Sequence, residues 1–142
     1  MILIFKNILV PIDSSPASLR ALDLAIEFAM RDGAKITLIY VILSSSKLNA
    51  QTIDELKKLG ENVLHEAEEK CKKHGIIPKK VLRIGELDQS SIALEIYDEV
   101  LKGKYDLVIL GTKGYCGEKA ILMGSIAIAL AITLPCTVII VR

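Results

Sequence analysis

The residues of this 142-residue chain that are placed to do chemistry fall into two groups. One is Asp13, which ends the apolar run Ile8-Leu9-Val10-Pro11-Ile12 and is followed by Ser14-Ser15. The other is a glycine series, Gly111, Gly114 and Gly117, leading to Gly124-Ser125. Glycine has no Cβ, so its backbone can wrap an anion closely. Gly124-Ser125 opens a stretch readable as a helix, and the first N–H groups of a helix are unpaired and sit at the positive end of its dipole. Ser125 can cap that helix or donate its hydroxyl to a phosphate oxygen. Across a cleft, the Asp13 carboxylate can accept two ribose hydroxyls, and Val41, near the end of a second apolar run, can pack on a base. Plainer readings exist for each: Asp13 as a helix-start residue, Val41 as core, the glycines as turn punctuation. Taken singly, the plainer reading holds at every position. Together, at element ends that converge, they favour a nucleotide phosphate site.

That convergence depends on the elements carrying them. Four apolar runs, 8–12, 36–43, 107–110 and 137–141, are continuous rather than alternating, the pattern of parallel strands buried on both faces. A fifth, Lys79-Lys80-Val81-Leu82-Arg83-Ile84, mixes charges into the run and suits an exposed edge. Helical patterns lie between them. The first has Ser15 as N-cap, Pro16 at the first helical position and Gly33 as its stop. The second opens at Thr52 and Glu55, spaced as a capping box, and closes at Gly75. The third is capped by Asp88, buries Ile92, Ile96 and Val100, and stops at Gly103. The segment Ile126 to Leu134 alternates with period 2 like a strand, but its three alanines favour helix. Topology agrees, because a strand there would leave only Pro135 as the connection to the next parallel strand. A helix apolar all round must be covered all round, which implies a second subunit. The resulting order, β-α-β-α-β-α-β-α-β, gives a parallel sheet with helices on both faces and right-handed crossovers. Ligands of such sheets bind beyond the carboxyl ends of the strands. This end carries Asp13, Val41, Gly85-Glu86, Gly111 and the polar loop 44–51, which sits where a lid would close.

Composition narrows the function classes. Lys and Arg number 18 against 17 Asp and Glu, a net charge of +1, which offers no field for a polyanion; no nucleic-acid partner is expected. The chain is 51% hydrophobic with a mean hydropathy of +0.44, has no Trp, and must build its core from aliphatics. Cys71, Cys116 and Cys136 form no CxxC pair, and His65 and His74 complete no zinc set with them. An odd cysteine count without a framework points to a reducing compartment. Cys71 and Cys136 read as packing residues, whereas Cys116 sits in the glycine loop. The opening Met1–Phe5 run lacks a charged leader and a small-residue cleavage site, so it does not read as a signal peptide. The uncharged run 120–141 is long enough for a bilayer, but Pro135 breaks it and a β-branched strand follows, so no membrane span is expected. No G-x-x-x-x-G-K-[ST] is present, no G-x-G-x-x-G follows the first strand, and the acidic pair of a receiver domain is missing.

Gly111-x2-Gly114-x9-Gly124-Ser125 resembles the ATP-binding signature of the universal stress protein family, G-x2-G-x9-G-[ST]. The opening 6–15, the stretch 106–112 and the ending 134–141 are similar to that family as well, so the resemblance spans essentially the whole of 1–142 as one domain. It implies a three-layer α/β sandwich of the adenine nucleotide alpha hydrolase-like kind, with a five-stranded parallel sheet of order 3-2-1-4-5. It implies a homodimer made by antiparallel pairing of the last strands. It also implies ATP with Mg2+: Pro11, Ile12 and Asp13 at the adenosine, Asp13 on the ribose, Val41 on adenine, and Gly111, Gly114, Gly124, Ser125 and the backbone of Ile126 at the phosphates. Two features depart from the family. The last helix carries no charge, which leaves room for an assembly larger than a dimer. The loop around Tyr115 and Glu118 brings bulk and negative charge near the phosphates, with Lys113 or Lys119 to offset it.

The leading expectation is a cytoplasmic ATP-binding homodimer that regulates a stress response and hydrolyses ATP slowly at most. An alternative is an interaction module that binds no nucleotide and works through the apolar last helix and strand. A third, an ATPase or nucleotidyl transferase, lacks a general base near the γ-phosphate.

Overall fold

The computed structural model describes residues 5–112 and 124–142. Five strands, β1 (Asn7–Pro11), β2 (Lys35–Ser44), β3 (Lys79–Glu86), β4 (Leu107–Gly111) and β5 (Thr137–Val141), alternate with four helices, α1 (Pro16–Asp32), α2 (Ala50–Lys72), α3 (Ile92–Lys102) and α4 (Ser125–Thr133). The strands form one sheet of order β3-β2-β1-β4-β5, with every neighbouring pair parallel. The charged strand β3 is at one edge, where Lys79 is exposed and Lys80 pairs with Glu68 of α2 at 3.1 Å.

Successive side chains of a strand point to opposite faces, which divides the core in two. Ile8, Val10 and Leu38 pack with Leu22, Ala25 and Ile26 of α1 and Leu64, Ala67 and Cys71 of α2. Leu9, Ile39, Val108 and Leu110 pack with Ile96 and Val100 of α3 and Ala127 and Leu130 of α4. The result is helix, sheet, helix: a three-layer sandwich. β1 and β4 are buried along nearly their whole length, which explains their unbroken apolar runs.

The caps differ from expectation at two helices. Ser15 caps α1 as foreseen, its hydroxyl accepting the Ser18 N–H, and Gly33 ends it in the left-handed region at φ 73°. α2 is capped by Asn49 rather than Thr52; the Asn49 side-chain Oδ1 accepts the Thr52 N–H at 2.8 Å. The helix therefore starts at Ala50, and the polar loop shrinks to 45–49. α3 is capped by Ser91, not Asp88, because β3 runs on through Gly85 and Glu86 in register with Leu43 and Ser44. The turn that follows, with the Gln89 and Ser90 N–H groups both on the Glu86 carbonyl, uses up Asp88. β1 ends at Pro11, one residue short of Ile12, although the Ile12 N–H still bonds the Ile39 carbonyl at 2.9 Å.

Helix α4 settles the ambiguous alternating segment. Ala127 and Leu130 are buried, while Ile128 and Ile132 remain 45% and 78% exposed. Among the described residues, no helix is long and apolar enough to cross a membrane.

Candidate functional site

A cleft of about 270 Å³ opens at the carboxyl ends of β1, β2 and β4. Pro11, Ile12, Asp13, Val41, Gly111, Gly124, Ser125 and Ile126 all line it. Of the residues singled out from the sequence, Gly114 lies outside the described residues, as do Gly117, Cys116, Lys113, Tyr115, Glu118 and Lys119. The volume is close to the lower end of small-molecule sites, ~300 Å³.

Asp13 is held by the start of α1. Its N–H donates to the Ser18 hydroxyl at 3.1 Å, and its Oδ1 accepts the Ser15 N–H at 3.0 Å. The intervening Ser14 takes φ 66°, an uncommon conformation for a residue with a side chain, so the turn that presents Asp13 is constrained. Oδ2 makes no hydrogen bond among the described residues and is the oxygen left for a ligand. Asp13 is the single carboxylate on the described lining, and no Lys, Arg or His joins it there. Next to it, burial pushes the Tyr40 phenol upward, and the Asp13 charge adds to the effect.

Gly111 and Gly124 border the cleft and are also engaged by the fold itself. A Cβ on Gly111 would lie 2.7 Å from the Ala17 carbonyl carbon and 2.8 Å from the Ser18 nitrogen. The space freed at Gly111 is therefore filled by the first turn of α1, which crosses the end of β4 there. The Gly124 N–H is taken as well, donating to the Thr112 carbonyl at 2.6 Å, while the Thr112 N–H donates to Val141 of β5 at 2.8 Å. Gly124 is the N-cap of α4 and has no side chain with which to cap it. The amides that stay open are the next three: Ser125, Ile126 and Ala127 have no N–H partner among the described residues. An anion thus finds a helix end with unpaired donors in a cleft without described cations.

The opposite wall is apolar. Ile39 and Val41 of β2 share one packed cluster with Ile92 and Ile96, one turn apart on α3, and all four border the cleft. The sequence pattern marks Ile92 and Ile96 as core, and periodicity cannot say that the same stripe also walls a cleft. Thr112 and Ser18 were missed too; no pattern distinguishes them from ordinary loop and helix residues.

Elsewhere, His65, Glu68 and Glu69 on α2 bring ligand-type atoms together. Glu68 Oε1 is already shared by Lys80 at 3.1 Å and Lys72 at 3.8 Å, so a metal ion would have to displace two ammonium groups. The Lys80 hydrogen bond holds the Glu68 carboxyl below the usual carboxylate range. Cys71 is fully buried, and desolvation pushes its thiol to about 11.

Comparison with known proteins places this arrangement. Residues 4–142 match the model of the universal stress protein family. The universal stress protein YxiE of Bacillus subtilis is 28% identical over 152 residues, covering 97% of this chain and 99% of that one. The solved structure of UspA from Lactobacillus plantarum shares the fold at a TM-score of 0.81 and 24% identity, covering 99% of this chain and 100% of that chain. A universal stress protein of Archaeoglobus fulgidus, solved in complex with dAMP, gives 0.73 at 19% identity, with 99% and 100% covered. Two more of the same fold, one solved with cAMP and one from Arabidopsis thaliana with AMP bound, give 0.70 and 0.67.

Proposed function

The chain belongs to the universal stress protein family, and from that premise we propose that it binds an adenine nucleotide, ATP with Mg2+, in the cleft beyond β1, β2 and β4. The observation that carries this reading is that the Asp13 carboxylate, the Val41 wall and three amides of α4 without a partner among the described residues border one cavity. The adenine ligands of three solved relatives support adenine as the base. In this reading Pro11 and Ile12 border the adenosine, and Asp13 accepts ribose hydroxyls through Oδ2. Val41 packs on the base beside Ile92 and Ile96. The amides of Ser125, Ile126 and Ala127 take phosphate oxygens, together with the Ser125 hydroxyl and the backbone at Gly111 and Gly114. Gly124 serves as the turn that aims these amides rather than as a donor.

The residues fit a nucleotide and leave Mg2+ to the phosphates. With one carboxylate on the described lining, the cation would be held by phosphate oxygens and water, as is usual for Mg2+ at nucleotide sites. When bound it supplies charge neutralisation of the phosphates. No group on the described lining is placed as a base for an attacking water, so the protein acts as a regulator, with slow hydrolysis at most.

The same proposal makes the protein a cytoplasmic stress-response homodimer. β5 is an edge strand whose outer side has no ladder partner among the described residues, and it offers antiparallel pairing to a second copy. The exposed Ile128 and Ile132 leave room for a larger assembly. A second reading, an interaction module without nucleotide, rests on this apolar surface alone. Calorimetry with ATP and Mg2+ separates the two. Binding is expected, with stability rising by about 2.7 kcal/mol once free nucleotide reaches about 100 times Kd. No heat and no thermal shift at millimolar ATP would count against the nucleotide reading. A monomer by light scattering at micromolar concentration would remove the dimer and the interaction module alike. Chromatography of the nucleotide released on denaturing the purified protein would name the adenine ligand.

A further inference from the structure

Behind the apolar wall of the cleft lies a cluster of charged groups that lines no part of it. Arg83 of β3 donates from Nε to Glu95 Oε1 and from Nη1 to Glu99 Oε1, both at 3.1 Å. The Ser90 hydroxyl donates to Glu95 Oε2 at 2.6 Å, and the Tyr105 hydroxyl donates to Glu99 Oε2 at 2.9 Å. All four carboxylate oxygens are therefore used. The side chains of Arg83, Glu95 and Glu99 are 22%, 12% and 7% exposed. Glu95 lies so close over Gly85 that an added Cβ would meet its Oε2 at 2.8 Å.

Two carboxylates on one guanidinium are an expensive way to attach a helix that aliphatic side chains alone could attach. What such a cluster adds is direction: a forked donor fixes rotation and translation where apolar packing tolerates sliding. The part of α3 so fixed is the part that walls the cleft. Ile96 stands between Glu95 and Glu99 in sequence, and Ile92 is one turn earlier. Arg83 is the register partner of Val41, which packs in the same cluster as Ile92 and Ile96. The cluster thus links the strand pair carrying Val41 to the helix carrying Ile92 and Ile96.

We propose that Arg83 is a positioning residue for the nucleotide base, fixing how Val41 and the Ile92–Ile96 stripe together present the apolar wall of the cleft. This rests on the nucleotide reading of the cleft and deepens it. The test is ATP calorimetry, alongside thermal unfolding, on wild type, Arg83→Gln, Arg83→Lys and Lys80→Gln. Lys80 is the matched control, since it makes a 3.1 Å ion pair from the same edge strand but to Glu68 of α2, away from the cleft. Arg83→Gln should raise Kd about tenfold, and Arg83→Lys, which reaches one carboxylate at a time, should recover part of the loss, to about threefold. Lys80→Gln should stay within about twofold of wild type in Kd even as its unfolding temperature falls. A folded Arg83→Gln protein that binds ATP like wild type overturns the proposal. So does a Lys80→Gln protein that loses as much affinity, because the loss would then follow general stability. Should Arg83→Gln fail to fold, Arg83→Lys decides, and unchanged affinity there overturns the proposal. Wild type without ATP heat removes the nucleotide reading and this inference with it; a binding wild type with unmoved Arg83 variants removes this inference alone.

Discussion

Gly111→Ala separates two reasons for one glycine. If Gly111 exists to let phosphate approach, alanine should spare the folded protein and weaken only the ligand. The geometry says otherwise: the new methyl would stand 2.7 Å from the Ala17 carbonyl carbon, 2.8 Å from the Ala17 Cβ and 2.8 Å from the Ser18 nitrogen. Two of these three atoms are backbone and cannot turn away by changing rotamer. α1 must lift from β4, and its first turn holds Asp13 through the Ser18 hydroxyl. Overpacking of a filled site costs about 1–3 kcal/mol, and a clash with backbone belongs at the upper end. For a chain of this length each kcal/mol lowers the midpoint by about 3–4 °C, so unfolding should come about 10 °C earlier. The assay is thermal unfolding followed by circular dichroism, without nucleotide. A variant that melts with wild type would refute the packing argument and return Gly111 to the phosphate reading.

Three further outcomes follow from named contacts. Asn49→Ala should cost about 1 kcal/mol by urea unfolding, whereas Thr52→Ala, which keeps the N–H that Asn49 caps, should cost less; the reverse order would restore Thr52 as the cap. Gly60→Ala should be milder than Gly111→Ala, about 1 kcal/mol, because the added Cβ meets side-chain atoms, Tyr40 Cδ1 at 2.7 Å and Leu82 Cδ1 at 2.8 Å, that can shift; equal losses in denaturant midpoint would contradict this. Alkaline pH should weaken the fold. Burial raises the Cys71 thiol from 9.0 to about 11 and the Tyr105 hydroxyl from 10.0 to about 12, so the folded state holds both protons more tightly than the unfolded state. Their contribution is complete below about pH 9 and lost between about pH 9 and 12. Urea titrations at pH 8 and 10.5 should show the fall, and Cys71→Ala should flatten its lower part.

Where a residue's type determines its local conformation, the chain could be read directly. Ser15-Pro16 marked the start of α1 and Gly33 its end, because a hydroxyl cap, a fixed φ and a left-handed turn are local requirements. The caps of α2 and α3 were misplaced for the complementary reason. Asn49 and Ser91 cap as well as Thr52 and Asp88 do, and the choice between them depends on how far β2 and β3 run, which pairing across the sheet decides. The same holds in the cleft. Asp13 was visible as a residue just past a strand end and Val41 as one near the end of an apolar run, whereas Ile92 and Ile96 looked only like core.

The amino-acid sequence by itself determined the alternation of strands and helices and the edge position of β3, which follow from periodicity and charge along the chain; the end of the sheet at which a ligand is expected follows from that alternation by the rule for open parallel sheets. Only the tertiary structure showed which neighbours Gly111 and Gly124 meet. Whether a missing Cβ leaves a space for a ligand or a space that another element fills depends on atoms about a hundred residues away. At Gly111 that space belongs to α1, at Gly124 the amide belongs to Thr112, and the open donors are the three residues that follow.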